Sequence, residues 1–167
     1  MVDNKYIKIF ATGGTFDKEF NEINGELFFK ETNLYQLLQL GRSQLSVKIE
    51  TLMMVDSLKM TQSEKNYIVD KCKKEKTNRI IITHGTDTMV DTAKLIAKNI
   101  TDKTIILTGA MIPIKFGSSD GLFNLGSALS FIQTIDPGVY ITMNGRYFSW
   151  DNVRKNKKLG IFERINK

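Results

Sequence analysis

Two short turns rich in glycine and hydroxyl groups are the parts of this chain best suited to chemistry. The first, Thr12-Gly13-Gly14-Thr15, follows the strand-like run 7–10, and the second, His84-Gly85-Thr86-Asp87, comes just after the run 80–82. Open α/β sheets bind their ligands beyond the carboxyl ends of parallel strands, so both turns are expected at one crevice. A threonine there is a candidate nucleophile if a neighbouring group takes its proton. The pair of turns therefore indicates an enzyme.

Each turn also has a plainer interpretation. The glycines of the first could approach a phosphate, but the turn lacks both the G-x-G-x-x-G and the Walker patterns, so a nucleotide site is weakly indicated. Asp87 could cap the helix that follows it, or it could bind the ammonium group of a substrate. His84 is the single histidine of the sequence, which excludes a histidine-based triad and a multi-histidine metal site. We interpret His84 as a hydrogen-bonding residue of the turn.

A threonine nucleophile without a free histidine needs another base. A lysine held near a hydroxyl and a carboxylate can serve, but the chain has many lysines and spacing alone does not choose among them. Asp56-Ser57 lies just past the strand that ends near Val55, where the crevice is expected. Turn chemistry explains that pair equally well. From the residues alone, the identity of the base stays open.

Strand-like and helix-like segments alternate along the chain. This order predicts an α/β fold with three layers, in which a mainly parallel open sheet carries helices on both faces. A polar loop is expected between the first strand and the first helix, and Thr61 and Glu64 have the spacing of a capping box at the start of the second helix. The predicted strands are 6–11, 47–55, 79–83, 104–107 and, as the last one, 139–143; the predicted helices are 33–40, 61–76, 88–99 and 120–133.

Length and composition describe an ordinary globular domain. The chain has 167 residues, 41% of them hydrophobic, and one cysteine, Cys72, which we expect to be a buried apolar residue and not a reactive thiol. The net charge of +6 comes without a basic stripe interleaved with aromatic residues, so nucleic acid is not expected as a partner. No apolar run approaches the length of a membrane span, and the first residues lack a signal-peptide core. We therefore expect a cytoplasmic protein with no membrane partner.

Four segments resemble, in order, the signatures of the bacterial-type L-asparaginase/glutaminase family. Residues 11–16 are similar to the first signature and 83–89 to the second; 107–113 resemble the strand and turn after it, and 119–125 the next helix start. The resemblance covers nearly the whole chain and implies the flavodoxin/Rossmann-like fold of the family's N-terminal domain. Since full-length members carry a second, smaller domain, it also implies a short form, with a single domain over 1–167 and the C-terminal domain absent.

The resemblance implies a catalytic role for four residues. Thr15 falls on the nucleophile that attacks the side-chain amide carbon, and Thr86 falls on the second catalytic threonine. Asp87 corresponds to the residue that holds the substrate's amino group and supports a proton relay. Lys155 matches the family lysine that pairs with Thr86 and Asp87, which would supply the missing base.

The resemblance also implies how a substrate is held. Ser57 falls on the serine that binds the α-carboxylate, while Thr86 and Asp87 contact the substrate as well. Gly14 and Gly85 lie at the two turns, where backbone N–H groups would stabilise an oxyanion. The implied reaction is hydrolysis of L-asparagine, or a related small amide, to the acid and ammonia through a threonine acyl-enzyme. No metal or organic cofactor is implied, and the protein is expected to be a homo-oligomer.

Three departures from the family pattern keep two other hypotheses open. The second domain, which in the family lends an acidic group to a neighbouring subunit's site, is not found in this sequence. The loop after the first signature has no tyrosine, since Phe28 and Phe29 lack the hydroxyl, and Leu58 replaces a residue that is usually polar. The chain could thus be a non-catalytic module that binds aspartate or asparagine, or a subunit whose partner chain completes the site.

Overall fold

The computed structural model describes residues 6–166 and contains ten strands and four α-helices. Two short 3-10 turns, Thr15–Asp17 and Ile114–Phe116, lie between them. In chain order the elements are β1 (Ile7–Gly13), β2 (Lys18–Asn21), β3 (Glu26–Phe29), α1 (Leu34–Leu40), β4 (Val47–Val55), α2 (Gln62–Lys74), β5 (Arg79–Thr83), α3 (Met89–Ala97), β6 (Thr104–Thr108), α4 (Gly121–Phe131), β7 (Gly138–Met143), β8 (Arg146–Ser149), β9 (Arg154–Asn156) and β10 (Ile161–Glu163).

Six strands form the central sheet in the spatial order β4-β1-β5-β6-β7-β8. The first five are parallel and β8 runs antiparallel to β7. From β1 the chain first adds β4 on one side of β1, and it then crosses over to add β5, β6 and β7 on the other side. The order of the strands therefore reverses at β1. This is the topological switch point where sheets of this kind bind ligands. The turns that follow β1 and β5 are therefore neighbours, as the sequence predicts.

Alternate residues of the strands pack into two separate cores. Ile80 and Ile82 face α2 and α3, where they meet Ile68 and Ala93. Ile81, between them, faces the opposite layer, which is built from α1 and α4. Because both faces of the central strands are covered, the middle residues of β5 and β6, 80–82 and 105–107, are all apolar. The prediction of a three-layer α/β fold is confirmed.

One crossover has the unusual hand. The connections β5-α3-β6 and β6-α4-β7 step across the sheet in the same direction, yet α3 and α4 lie on opposite faces. The connections through α1, α2 and α3 share one hand, which is the right-handed sense found in nearly all such units. The α4 crossover is therefore left-handed, and it places α4 beside α1.

The helix and strand predictions are confirmed to within about two residues at each boundary, and Thr61 with Glu64 forms the predicted capping box. Two expectations were wrong. The loop after the first strand contains the hairpin β2–β3, and 139–143 is followed by β8 and by the hairpin β9–β10. These strands have only three or four residues each, so they lack a hydrophobic period long enough to read from sequence.

Two sequence-based interpretations concern burial and membranes. Cys72 is buried as expected, and burial raises the pKa of its thiol to about 12, so the thiol stays protonated. Among residues 6–166, no helix has both the length and the apolar character required to cross a membrane.

Candidate active site

Three strand ends touch through glycine. Gly14, after β1, has a positive φ of 74°, and a Cβ placed on it would lie 2.4 Å from the backbone nitrogen of Gly85 after β5. A Cβ on Gly85 would in turn lie 2.5 Å from both Cβ and Oγ of Ser57, after β4. No side chain larger than hydrogen fits at either glycine without displacing a neighbour. The two turns and the Ser57 loop thus form one continuous wall of the candidate site.

The contact between the turns also uses the N–H group of Gly14. This group donates a hydrogen bond of 2.9 Å to the carbonyl of Val55. The expectation that N–H groups of both glycine turns would face an oxyanion therefore fails at Gly14, because this N–H already joins β1 to the end of β4. Gly14 contributes a close backbone approach, which a substituted residue would prevent.

Thr15 begins the 3-10 turn that follows Gly14. The next two side chains, Phe16 and Asp17, are fully buried, and Phe16 packs into the core beneath α1 and α4. Thr15 itself is half-buried. Within residues 6–166 its hydroxyl has no hydrogen-bond partner, so a ligand could use both its proton and its lone pairs.

Lys155 joins the second turn in a three-residue contact. Its Nζ donates to Thr86 Oγ1 at 2.7 Å and to Asp87 Oδ1 at 2.8 Å. Thr86 is buried, and 13% of the Lys155 side chain is exposed, whereas Asp87 lies at the surface. Asp87 makes no side-chain capping bond to α3, so the helix-cap interpretation is wrong for this residue. Lys155 Nζ instead bridges a buried hydroxyl and a carboxylate.

The hairpin β9–β10 positions Lys155. Phe162 pairs with Lys155 across the two strands and its side chain is buried in the α2–α3 core together with Val153. The N–H of Phe162 donates to Asn144 Oδ1 at 2.9 Å, and the N–H of Asn144 donates to Asn124 Oδ1 at 3.0 Å. A chain of hydrogen bonds therefore ties the lysine strand to helix α4. Nothing in the sequence pattern indicated these supporting residues.

Ser57 is almost fully buried beside Gly85. Its carbonyl accepts a hydrogen bond of 3.0 Å from Thr88 Oγ1, which links the β4 loop to the start of α3. Within the described chain, the hydroxyl of Ser57 has no protein partner. Asp56 beside it forms an ion pair with Lys18 and accepts the Leu58 N–H at 3.0 Å. Leu58 itself points to solvent, 70% exposed.

His84 supports the second turn from inside the protein. Its Nδ1 donates to the carbonyl of Gly85 at 2.8 Å, and its Nε2 accepts from Thr92 Oγ1 at 2.9 Å. Burial lowers the pKa of His84 to about 4, so the ring is neutral at physiological pH. These contacts confirm the interpretation of His84 as a hydrogen-bonding residue of the turn.

Asp17 is a buried carboxyl directly beneath the first turn. Its Oδ1 accepts the Asn33 N–H at 2.8 Å and the Thr32 hydroxyl at 3.2 Å, while Oδ2 is buried without a partner in the described chain. Burial raises the pKa of Asp17 to about 6, and the hydrogen bonds from Asn33 and Thr32 oppose that shift. The first turn is thus joined to the start of α1 by a group that titrates near neutral pH.

The loop after β6 completes the wall. Asp120 accepts hydrogen bonds from the N–H groups of Met111 and Ile112, and Asn124 Nδ2 donates to the Gly109 carbonyl at 2.9 Å. A Cβ on Gly109 would lie 2.4 Å from the carbonyl oxygen of His84. Asp120 and Asn124 were not singled out from the sequence, since only their distance in space connects them to the site.

The candidate site has no metal-binding cluster. Among residues 6–166, no group of three or more histidine, cysteine, aspartate or glutamate side chains is placed to hold an ion. The predicted residues fall into two sets. Thr86, Asp87 and Lys155 are in direct contact, and Gly14, Gly85 and Ser57 are in direct contact. Thr15 follows Gly14 in the chain.

Comparison with known sequences identifies related proteins. A family model described as "Asparaginase, N-terminal" matches residues 6–166. L-asparaginase from Thermococcus kodakarensis is 30% identical over 167 residues, which is 95% of this chain and 50% of that relative. L-asparaginase 2 from Escherichia coli is 34% identical over 98 residues, covering 55% of this chain and 28% of that relative.

Solved structures give the same result for the fold. The thermostable L-asparaginase from Thermococcus kodakarensis superposes with a TM-score of 0.83 at 29% identity, covering 97% of this chain and 52% of that one. The probable cytoplasmic L-asparaginase from Campylobacter jejuni gives a TM-score of 0.83 at 27% identity, covering 98% and 54%. The chain therefore spans about half the length of these relatives.

The glycine contact predicts a large cost for Gly14→Ala. The added Cβ would meet the Gly85 backbone, and alanine is strained at a φ of 74°. We expect the free energy of unfolding, measured by urea denaturation, to fall by more than about 3 kcal/mol. Two controls separate the causes. Gly25→Ala has a similar φ in open space and should lose about 1–2 kcal/mol. Gly126→Ala, inside α4 with nothing within 4 Å of the added Cβ, should gain about 0.5–1 kcal/mol. Equal losses at Gly14 and Gly25 would contradict the contact.

The raised pKa of Asp17 predicts that the stability of the folded protein depends on pH. Its pKa in the folded state, about 6, lies above its unfolded value near 3.8, so its contribution is fully present below pH 3.8 and is lost as the pH rises through 6. Asp17→Asn should abolish this loss. Relative to the natural protein, the variant should therefore become more stable between pH 4 and pH 7, by up to about 3 kcal/mol. Urea unfolding across this range measures the effect, and Asp102→Asn, at an exposed position, is the control. A difference that stays constant with pH would contradict the prediction.

Proposed function

The chain belongs to the asparaginase family, and we propose that it is an amidohydrolase that releases ammonia from the side-chain amide of L-asparagine or a related small amide. One observation carries the proposal: Lys155 Nζ lies 2.7 Å from Thr86 Oγ1 and 2.8 Å from Asp87 Oδ1. An amine between a hydroxyl and a carboxylate can move a proton to and from that hydroxyl, which is what amide hydrolysis without a histidine base requires.

In the proposed first step, Thr15 is the nucleophile. Its Oγ bonds to the amide carbon and gives up its proton, and the N–H of Gly85 stabilises the negative charge that develops on the carbonyl oxygen. The proton from Thr15 is transferred to the amide nitrogen, the C–N bond breaks, and the nitrogen leaves as ammonia. The product of this step is an ester between the substrate acyl group and Thr15. The half-buried position of Thr15 supports this role, as does its hydroxyl, which has no hydrogen-bond partner within residues 6–166.

In the proposed second step, water hydrolyses the ester that joins the acyl group to Thr15. Water attacks the acyl carbon and gives one proton to the Thr86 oxygen, whose own proton passes to Lys155 acting as the neutral base; Asp87 stabilises the ammonium group formed, at 2.8 Å. The bond to Thr15 Oγ then breaks, and the proton returns from Lys155 through Thr86 to Thr15 Oγ, which restores all three residues. The burial of Thr86 supports the relay, because its hydroxyl is shielded from bulk water.

The proposed substrate is held by its α-carboxylate and α-ammonium groups. Ser57 would donate a hydrogen bond to the carboxylate from its hydroxyl, which has no partner in the described part of the chain. Asp87 would accept from the ammonium through Oδ2, since Oδ1 is occupied by Lys155. Gly14 and Gly85 would admit the substrate close to the backbone, where any side chain would block it.

We extend the proposal to the setting of the site. The described chain would act as a single domain that corresponds to the N-terminal part of the family fold, in a cytoplasmic homo-oligomer without a cofactor. Neither nucleic acid nor membrane takes part.

The proposal predicts the effect of two substitutions on ammonia release from L-asparagine. Thr15→Ala should abolish turnover, because no other group replaces the attacking oxygen, while Thr15→Ser should keep part of it. Lys155→Met should lower kcat by about 100-fold or more through loss of the relay. A coupled assay for ammonia, run with asparagine, glutamine and simple amides, measures both.

The assay also distinguishes the two other hypotheses. Aspartate binding by calorimetry without ammonia release would favour a non-catalytic binding module. Activity that appears only when a second polypeptide is added would favour a subunit with a shared site. Full activity of Thr15→Ala would remove Thr15 from the role of nucleophile.

A further inference from the structure

We propose that Lys18 and Asp56 are positioning residues of this site: their ion pair fixes the Thr15 turn against the Ser57 loop, and it sets the rate of the proposed reaction without touching the substrate. The inference rests on the proposed function for its kinetic part. Its structural part concerns the chain alone and is tested separately.

The pair joins the two segments that carry candidate hydroxyls. Lys18 Nζ contacts Asp56 Oδ2, and Asp56 directly precedes Ser57 in the chain. Lys18 closes the 3-10 turn that begins at Thr15, since its N–H donates to the Thr15 carbonyl. Residues three apart in such a turn are eclipsed, so Lys18 and Thr15 lie on the same side of it.

Two contacts, one before Thr15 in the chain and one after it, therefore join the Thr15 turn to the end of β4. Before it, the Gly14 N–H donates to the Val55 carbonyl at 2.9 Å. After it, the Lys18 side chain binds Asp56. The first contact is made by backbone atoms and cannot be removed by an ordinary substitution. The second is made by side chains, so it is the adjustable part of the distance between Thr15 and Ser57.

The other residues that fix the Thr15 turn contact the core and α1. Phe16 packs into the core under α1 and α4, and Asp17 binds the N–H of Asn33 at the start of α1. Neither residue contacts the β4 loop through a hydrogen bond. The position of the turn relative to Ser57 thus depends on Lys18 in a way that its position relative to α1 does not.

Asp56 is itself held in place. Its Oδ1 accepts the Leu58 N–H at 3.0 Å, and its carbonyl accepts the Lys59 N–H at 2.8 Å. Both partners of the pair are largely shielded, with side-chain exposures of 17% and 28%. The neighbouring ammonium group lowers the pKa of Asp56, which keeps the carboxylate charged at neutral pH. An ion pair with fixed, shielded partners holds its geometry better than one between two mobile surface chains.

The pair also anchors the hairpin β2–β3, because Lys18 is its first residue. Further out, the hairpin rests on the turn 114–116 through an edge-to-face contact between Phe20 and Phe116, with ring centres 6.4 Å apart. Both of these rings are half exposed, so this outer contact is the weaker one. Loss of the Lys18 contact should therefore loosen the hairpin at its base.

The kinetic test compares Lys18→Gln, Asp56→Asn, the double variant and the swapped pair Lys18→Asp with Asp56→Lys. We expect each single variant to lower kcat for the amide by about tenfold to a hundredfold, as small displacements of reacting groups do, with KM changed by less than about threefold. The double variant should be no worse than either single one, and the swapped pair should recover at least part of kcat. Lys71→Gln, which removes a partly shielded ion pair to Glu50 on β4, the strand that leads to Asp56, should leave kcat unchanged.

Three kinetic outcomes would overturn the proposal. An unchanged kcat in Lys18→Gln would show that the pair does not position Thr15. A change confined to KM would show that Lys18 binds the substrate directly. Loss in both single variants with no recovery in the swapped pair would show that each residue acts on its own.

A second measurement does not depend on activity. Hydrogen–deuterium exchange of the purified protein should show faster exchange of residues 15–21 in Lys18→Gln, with strands β5 and β6 unchanged, and no such effect in Lys71→Gln. If the natural protein hydrolyses no amide, the proposed function fails, and the exchange result alone decides whether the pair fixes the turn. Unchanged exchange in residues 15–21 would overturn the pair's positioning role.

Discussion

The site depends on a contact that glycine alone permits. Gly14 packs against the backbone of Gly85, and Gly85 packs against Ser57, so the ends of β1, β5 and β4 meet without intervening side chains. The sheet order makes these strand ends neighbours, but neighbouring strand ends are normally kept apart by the side chains of their turns. Removing those side chains turns a shared edge into a single wall with two threonines and a serine on it. The glycines therefore contribute geometry, while the chemistry comes from the residues beside them.

Burial determines the protonation state of groups around this wall. His84 loses its charge because it is enclosed, and it serves as a neutral link between the Gly85 carbonyl and Thr92. Asp17 is enclosed as well, with one carboxylate oxygen left unpartnered in the described chain. Lys155, in contrast, reaches the surface next to a carboxylate. His84 thus holds the second turn as a neutral group, Asp17 joins the first turn to α1 as a carboxyl with a pKa raised to about 6, and the amine of Lys155 and the carboxylate of Asp87 lie at the edge.

Most of the fold could be predicted from sequence because its central strands and helices are long and periodic. Ile80 to Ile82 alternate between two cores, and Thr61 with Glu64 marks a helix start by side-chain chemistry alone. The hairpins could not be predicted, since strands of three or four residues are too short to show a hydrophobic period. Lys155 lies on such a strand, and only the family resemblance singled it out. The contact between Lys18 and Asp56 joins residues 38 positions apart, and no local spacing indicates it.

The left-handed crossover gives a physical reason why Lys155 can reach the second turn. On the α1 side of the sheet, α4 places Asn124 where Nδ2 binds the Gly109 carbonyl and Oδ1 binds the N–H of Asn144. Asn144, at a positive φ of 56°, accepts a hydrogen bond from the N–H of Phe162 through Oδ1. Phe162 lies on β10, which pairs with the strand of Lys155. A right-handed crossover would place α4 beside α3 and remove Asn124 from this chain of hydrogen bonds. The uncommon hand and the position of the lysine are therefore parts of one structural solution.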